Sequence, residues 1–276
     1  MILLVGRKGV LSRAIQDQFS SENIHIVGSE ISCKWASSNL NYEISDYINS
    51  LKEKPKFILN ASGILDPNTP LKELLEINYY LPRKLEGFAH KNNIKLITFG
   101  TIMENFDDMS KSNPYVFSKK QYSDYLLQTN HIKSNALHLQ IHTWYGGASL
   151  QPFMFLGQMY SAIQKKEIFH MSQGAQLREY HHIFDDLSAL KYLLSINASG
   201  VFQINHGETV SLKTVAEYVF SEFQLSDLLQ IGSLPQPILE NFQIKFSPSS
   251  AFGNENFRLT LPGIVDYFRL LASKSQ

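Results

Sequence analysis

Over the first half of the chain, short apolar runs alternate with longer stretches whose apolar residues recur at helical spacing. The short runs Ile2–Val5, Ile24–Val27, Phe57–Leu59, Lys95–Phe99 and Ala136–Ile141 each read as a strand. Between them, Leu71–His90 and Tyr115–Gln128 read as amphipathic helices. Nearly continuous apolar strands separated by helices predict βαβ crossovers, and hence a parallel sheet covered on both faces. The expected architecture is α/β and doubly wound.

The pattern loosens after Gly146-Gly147. A helix is expected near Phe153–Lys165, an irregular stretch runs to Tyr180, and a helix follows Asp185-Asp186. A short strand at Val201–Asn205 and a helix near Leu212–Phe223 come next. Gly232–Asn256, rich in Pro, Ser and Asn, reads as a covering loop. These features predict a first domain over residues 1–150 and a smaller composite lobe over 151–276, parts of which return to the first domain.

Composition narrows the function. With 276 residues, 43% of them hydrophobic, the chain can bury a substantial core. Lys and Arg number 25 against 25 Asp and Glu, with no basic stripe, which excludes a general nucleic-acid binder. Cys33 is the only cysteine, so neither an internal disulfide nor a cysteine-rich zinc site is available. No apolar run approaches the ~18 residues of a membrane span, and the chain opens without a basic leader. A cytoplasmic protein with no membrane partner is expected.

Directly after the first strand comes Gly6-Arg7-Lys8-Gly9-Val10-Leu11-Ser12, followed by a helix-compatible run from Arg13 to Phe19. Gly6 allows a tight bend, Gly9 lets backbone approach a pyrophosphate, and the helix start offers free N–H groups with a partial positive charge. Arg7, Val10 and Leu11 belong to the same expected cofactor site. At the end of the second strand, Glu30 could hold a ribose 2′-hydroxyl, whereas Ser29 with Arg7 or Lys34 could hold a 2′-phosphate. The reading favours NADP over NAD.

A second constellation is Tyr115-Val116-Phe117-Ser118-Lys119, preceded by Asn113-Pro114. A spacing of four puts phenol and ammonium on one helix face, about one turn apart. A phenol of pKa ~10 exchanges protons poorly near neutrality, and an adjacent cation helps it to do so. Upstream, Thr101 at the end of the fourth strand can donate a hydrogen bond to a substrate oxygen at the sheet's carboxyl edge.

Together these residues resemble the extended short-chain dehydrogenases/reductases, specifically the nucleotide-sugar epimerase, dehydratase and 4-ketoreductase group. The resemblance implies a Rossmann-type fold, with Gly6-x-x-Gly9-x-x-Ser12 standing for that family's cofactor turn. It implies that Asn60-Ala61-Ser62 lies along the cofactor, that Asn78 is a mid-helix cofactor-site asparagine, and that Thr101, Tyr115 and Lys119 are the catalytic triad. Trp144-Tyr145-Gly146 and the stretch from Gly174 to Asp186 are similar to further family segments. Arg178 is thereby implied in binding the nucleotide part of a substrate, while Asp185 or Asp186 is expected to cap the next helix. His181 and His182 are expected to pack or hydrogen-bond, with no metal. The expected substrate site comprises Thr101, Ile102, Met103, His142 and Arg178.

Family dehydratases carry Asp-Glu after the threonine, and this chain reads Thr101-Ile102-Met103-Glu104. That argues against dehydration and leaves an NAD(P)H-dependent 4-ketoreductase, with Tyr115 donating the proton, or a 4-epimerase with tightly bound NAD. The length of the chain favours the reductase. A non-enzymatic NAD(P) sensor would show damage at Thr101, Tyr115 or Lys119, and all three are intact. The resemblance also implies a homodimer, paired through Leu71–His90 and Tyr115–Gln128.

Overall fold

The computed structural model describes residues 1–38, 42–128, 135–252 and 257–274, so residues 253–256 of the expected Gly232–Asn256 loop lie outside it. The chain forms two compact units, residues 1–141 with 191–204, and residues 142–190 with 205–276. Residues 142–150, assigned from sequence to the first domain, thus belong to the second unit, because the last central strand ends at Ile141.

The first unit is built on a six-stranded sheet. Strands β1 (Ile2–Val5), β2 (Ile24–Val27), β3 (Phe57–Asn60), β4 (Lys95–Thr101) and β5 (Ala136–Ile141) are joined by an edge strand, Gly200–Gln203, which pairs with β5. All pairings are parallel, and the order β2-β1-β3-β4-β5 reverses direction beside β1. Leu3, Leu4, Val5, Ile58, Leu59, Leu96 and Ile97 have no exposed surface. Each contributes roughly 1.5–3 kcal/mol through burial. Lys95 is buried among them because its Nζ donates to Asn197 Oδ1 at 2.7 Å and to the Ala198 carbonyl at 2.7 Å.

Register brings the site together. Val5 lies beside both Val27 and Asn60, and Asn60 beside Thr98, so the residues following β1, β2 and β3 emerge at one carboxyl edge. In an open parallel sheet, a ligand crevice opens where the strand order reverses.

Several local expectations are corrected. The first helix starts at Val10 rather than Arg13, so Val10, Leu11 and Ser12 form its first turn. Leu71–His90 is not one regular helix: a π-turn, Glu76–Tyr80, separates Leu71–Leu75 from Leu81–Lys91. Helices Ser29–Ser37, Tyr42–Asn49 and Thr260–Lys274 had no counterpart in the sequence reading, and the edge strand spans Gly200–Gln203 rather than Val201–Asn205. The stretch expected to be irregular before Tyr180 contains the short strands Phe169–Met171 and Leu177–Arg178.

In the second unit, helices Phe155–Lys165, Leu212–Glu222 and Thr260–Lys274 enclose a core that includes Leu156, Met159, Val219, Phe220, Ile264 and Phe268. Asp185 and Asp186 do not cap the helix Ile183–Ser195 but lie within its first turn. Their carboxylates serve other partners, Asp185 pairing with Arg258, and Asp186 accepting from the Trp144 indole and bonding His181. Among the described residues, no helix is long and apolar enough to cross a membrane.

Candidate active site

Gly6 has φ +106°, a value that strongly favours glycine. A Cβ there would sit 3.1 Å from Ser62 N and 3.2 Å from the Ala61 carbonyl carbon, so the turn packs directly on the segment after β3. Ser12, at the third glycine position of the motif, is fully buried and donates its hydroxyl to the Gly6 carbonyl at 2.7 Å. Gly9 begins the Val10–Gln18 helix with no side-chain cap, and a Cβ there would meet nothing within 4 Å. The turn therefore presents an open face and uncapped helix amides, a fit for a dinucleotide pyrophosphate.

Arg7 is exposed at the tip, while Val10 and Leu11 are half-buried. Ser29 and Glu30 are both exposed in the first turn of the Ser29–Ser37 helix, just beyond β2. Asn60 is buried and accepts from Ser62 N at 3.2 Å, which holds the Asn60-Ala61-Ser62 bend.

Asn78 lies in the π-turn and is buried. Its Oδ1 accepts from Ile64 N at 3.1 Å, and its Nδ2 donates to the Ile64 carbonyl at 2.9 Å and to Ser118 Oγ at 2.9 Å. All three contacts tie the loop after β3 to the helix Pro114–Gln128. Single π-turns inside α-helices are rare and fall frequently at functional sites.

Lys119, on that same helix, donates from Nζ to the Phe99 carbonyl at 2.9 Å. A small cavity of about 10 Å³ is lined by Asn60, Ser62, Asn78, Phe99 and Lys119 among others, so the post-β3 bend, the π-turn, β4 and the helix converge there. Burial pulls the Lys119 ammonium down to about 8, and the Glu104 carboxylate opposes the fall. Burial, with Glu104 adding to it, pushes the Tyr115 phenol above its ordinary value.

Thr101 ends β4 and is 8% exposed. Its Oγ1 accepts from Met103 N at 3.3 Å, which leaves the hydroxyl hydrogen free to donate outward. Ile102 is buried and Met103 half-buried, so Ile102 can offer a ligand little beyond backbone.

Sequence reasoning missed the group beside Thr101. Glu104, 1% exposed, accepts from Thr101 N at 2.8 Å, from Gln140 Nε2 at 3.0 Å and from His138 Nε2 at 3.2 Å. His138 Nδ1 lies 2.8 Å from Thr98 Oγ1. Burial alone would push the Glu104 carboxyl up; His138 and the donated hydrogen bonds outweigh it and hold the group below its usual range.

In the second unit, Arg178 forms an ion pair with Glu240 and donates to the Leu177 carbonyl at 2.9 Å. His142 is buried, with its Nε2 2.8 Å from Asn205 Oδ1 and 3.6 Å from Glu179 Oε2. His142, Glu179 and His181 place one ligand-type atom each within 4.8 Å of one another. Those atoms already have hydrogen-bonding partners: Glu179 also accepts from the amides of His206 at 3.0 Å and Gly207 at 3.1 Å, and His181 lies 3.0 Å from Glu179 and 2.7 Å from Asp186. The group forms a buried hydrogen-bonded cluster.

This cluster makes stability depend on pH. Burial pulls His181 down, but Asp186 and Glu179 outweigh it and hold it up to about 9. A raised folded pKa adds stability below the unfolded value and loses it as pH rises through the folded one. His142 and His182 are pushed down to about 4 by burial, so acid draws protons to the unfolded chain as pH falls below its ordinary histidine value. The stability that His181 contributes is expected to be lost from about pH 7 to 9, so the melting-temperature difference between wild type and His181→Gln should shift against the wild type over that interval. A difference that is constant over that interval contradicts this reading.

No protein-family model matches the chain, and no curated protein matches it in sequence. Solved structures do. A dTDP-glucose 4,6-dehydratase from Bacillus anthracis, in complex with NAD, aligns with TM-score 0.77 at 14% identity, over 100% of this chain and 97% of that one. A dTDP-4-dehydrorhamnose reductase from Clostridium acetobutylicum aligns with TM-score 0.72 at 14% identity, over 99% and 100%. A UDP-N-acetylglucosamine 4-epimerase from Bacillus cereus aligns with TM-score 0.75 at 16% identity, over 99% and 96%. The fold is the one the sequence resemblance implied. Length does not separate reductase from epimerase, since both solved chains are covered almost completely.

Proposed function

We propose that this chain is an NAD(P)H-dependent oxidoreductase that reduces the keto group of a nucleotide-linked 4-keto-(6-deoxy) sugar, with Tyr115 as proton donor. The observation that carries the reading is convergence within one unit: an open glycine turn on β1, Thr101 with a free hydroxyl hydrogen on β4, and Lys119 anchored to the Phe99 carbonyl. A reduced nicotinamide dinucleotide bound over the turn supplies the hydride. Gly6, Arg7, Gly9, Val10, Leu11 and the Asn60–Ser62 bend would hold it, with Ser29 near the adenosine ribose.

Thr101 donates to the substrate carbonyl and steadies the charge that grows on its oxygen. Tyr115 passes its phenolic proton to that oxygen. Lys119 places a positive charge near the phenolate left behind. In the second unit, the Arg178 guanidinium has the geometry to take a diphosphate group with two parallel hydrogen bonds, in competition with Glu240.

The test is cofactor oxidation. NADH and NADPH are titrated against the protein, and dTDP-, CDP- and GDP-linked 4-keto-6-deoxy sugars are added. One equivalent of reduced cofactor consumed per sugar is expected, with NADPH preferred. Retention of bound NAD with interconversion of 4-epimers would replace the reading with epimerisation, and absence of dinucleotide binding would remove it.

A further inference from the structure

We propose that Glu104 is a positioning residue for this site: a buried carboxylate, gripped by His138 and Gln140, that clamps the Thr101 backbone and presents its charge to the Pro114–Gln128 helix. The proposal rests on the reading of Thr101, Tyr115 and Lys119 given above.

Three observations carry it. Glu104 closes a capping box with Thr101, its Oε1 accepting from Thr101 N while Thr101 Oγ1 accepts from Met103 N. The clamp therefore sets both the position of Thr101 and the direction in which its hydroxyl can donate. The other oxygen is held from β5, by Gln140 at 3.0 Å and His138 at 3.2 Å, and Gln140 Oε1 accepts in turn from Asn105 Nδ2 at 2.9 Å. Finally, β4 makes room for the pair. A Cβ on Gly100 would lie 2.2 Å from Glu104 Oε1 and 2.4 Å from His138 Nε2.

A buried carboxylate is a costly way to cap a single turn, because removing it from water costs several kcal/mol before its partners offset this. A glutamine at this position of the capping box would close it as well without the charge. The charge has an audience. His138 and Gln140 face Glu104 from β5 and the Thr101 amide from β4, while Tyr115 and Lys119 feel its field from the Pro114–Gln128 helix. Tyr122, from that helix, stacks edge-on against His138 at 5.4 Å. Glu104 thus favours the ammonium of Lys119 and the protonated phenol of Tyr115 together, the pair of states a proton donor starts from.

The experiment reads Lys119 without substrate or dinucleotide. Competitive acetylation with acetic anhydride across a pH series, followed by mass spectrometry of the Lys119 peptide, gives the midpoint at which the amine becomes reactive. In the wild type it is expected near pH 8. In Glu104→Gln it should move to lower pH, and a half-unit move multiplies the free amine near neutrality about threefold. Glu104→Asp, which keeps the charge, should return it toward the wild-type value. An unchanged midpoint in Glu104→Gln overturns the proposal, since a purely structural cap would leave the amine alone.

Should Glu104→Gln fail to fold, carbon-13 carboxyl resonances of glutamate in the unmodified protein decide the matter. Glu104 is expected to be ionised throughout the neutral range, and a carboxyl still protonated at pH 7 overturns the proposal. Wild-type protein that turns over no keto sugar refutes the proposed function while leaving the Lys119 result standing. An active wild type with an insensitive Lys119 refutes only the role of Glu104.

Discussion

Tyr115→Phe is expected to lower kcat for keto-sugar reduction by about 10²–10⁴-fold, the usual worth of a positioned general acid. Only one oxygen is lost. The ring remains half-buried at the start of the Pro114–Gln128 helix, and the Gly6–Ser12 turn is untouched. Dinucleotide affinity, followed by quenching of protein fluorescence, should therefore change by no more than about twofold, so the loss falls on transition-state stabilisation rather than on binding. An undiminished rate would show that another group delivers the proton.

Gly100→Ala should produce a large loss of stability from a single added methyl group. The new Cβ would occupy space held by Glu104 Oε1 and His138 Nε2, on a strand buried along its whole length. Overpacking of this kind costs typically about 1–3 kcal/mol, and here the displaced atoms belong to a buried hydrogen-bonded network of Glu104, His138, Gln140 and the Thr101 amide. Moving Glu104 also moves Thr101, so kcat/KM should fall along with the denaturation midpoint in urea. Gly87→Ala is the control: it lies inside the helix Leu81–Lys91, and its added Cβ meets nothing within 4 Å. There alanine should stabilise by up to about 1 kcal/mol. Equal effects of the two substitutions would mean that the space beside Gly100 is not filled as described.

The central strands were legible because their burial leaves a simple trace: Ile2–Val5, Ile24–Val27 and Ala136–Ile141 match the observed bounds. The glycine turn and the Tyr115–Lys119 spacing were legible for a similar reason, each being a local pattern with a local geometry. Glu104 was not, because its meaning depends on two side chains from β5 that sequence distance hides. A signal existed nevertheless. His138 and Gln140 alternate along Ala136–Ile141, and two polar residues on one face of a strand covered on both sides require a buried partner. The π-turn was missed because apolar residues are frequent enough across Leu71–His90 to be read as one helical period. The Thr260–Lys274 helix is obscured by Pro262 and Gly263, and Gly263 is explained only in three dimensions: a Cβ there would come within 2.0 Å of the Tyr145 hydroxyl.

Ser12 changes what the glycine turn asks of its ligand. With a third glycine the loop would be freer before anything binds, and a ligand would have to freeze it. The hydroxyl of Ser12, bonded to the Gly6 carbonyl out of reach of water, fixes the bend beforehand. The turn is preorganised, and the conformational entropy that a looser loop would lose on association has already been surrendered during folding.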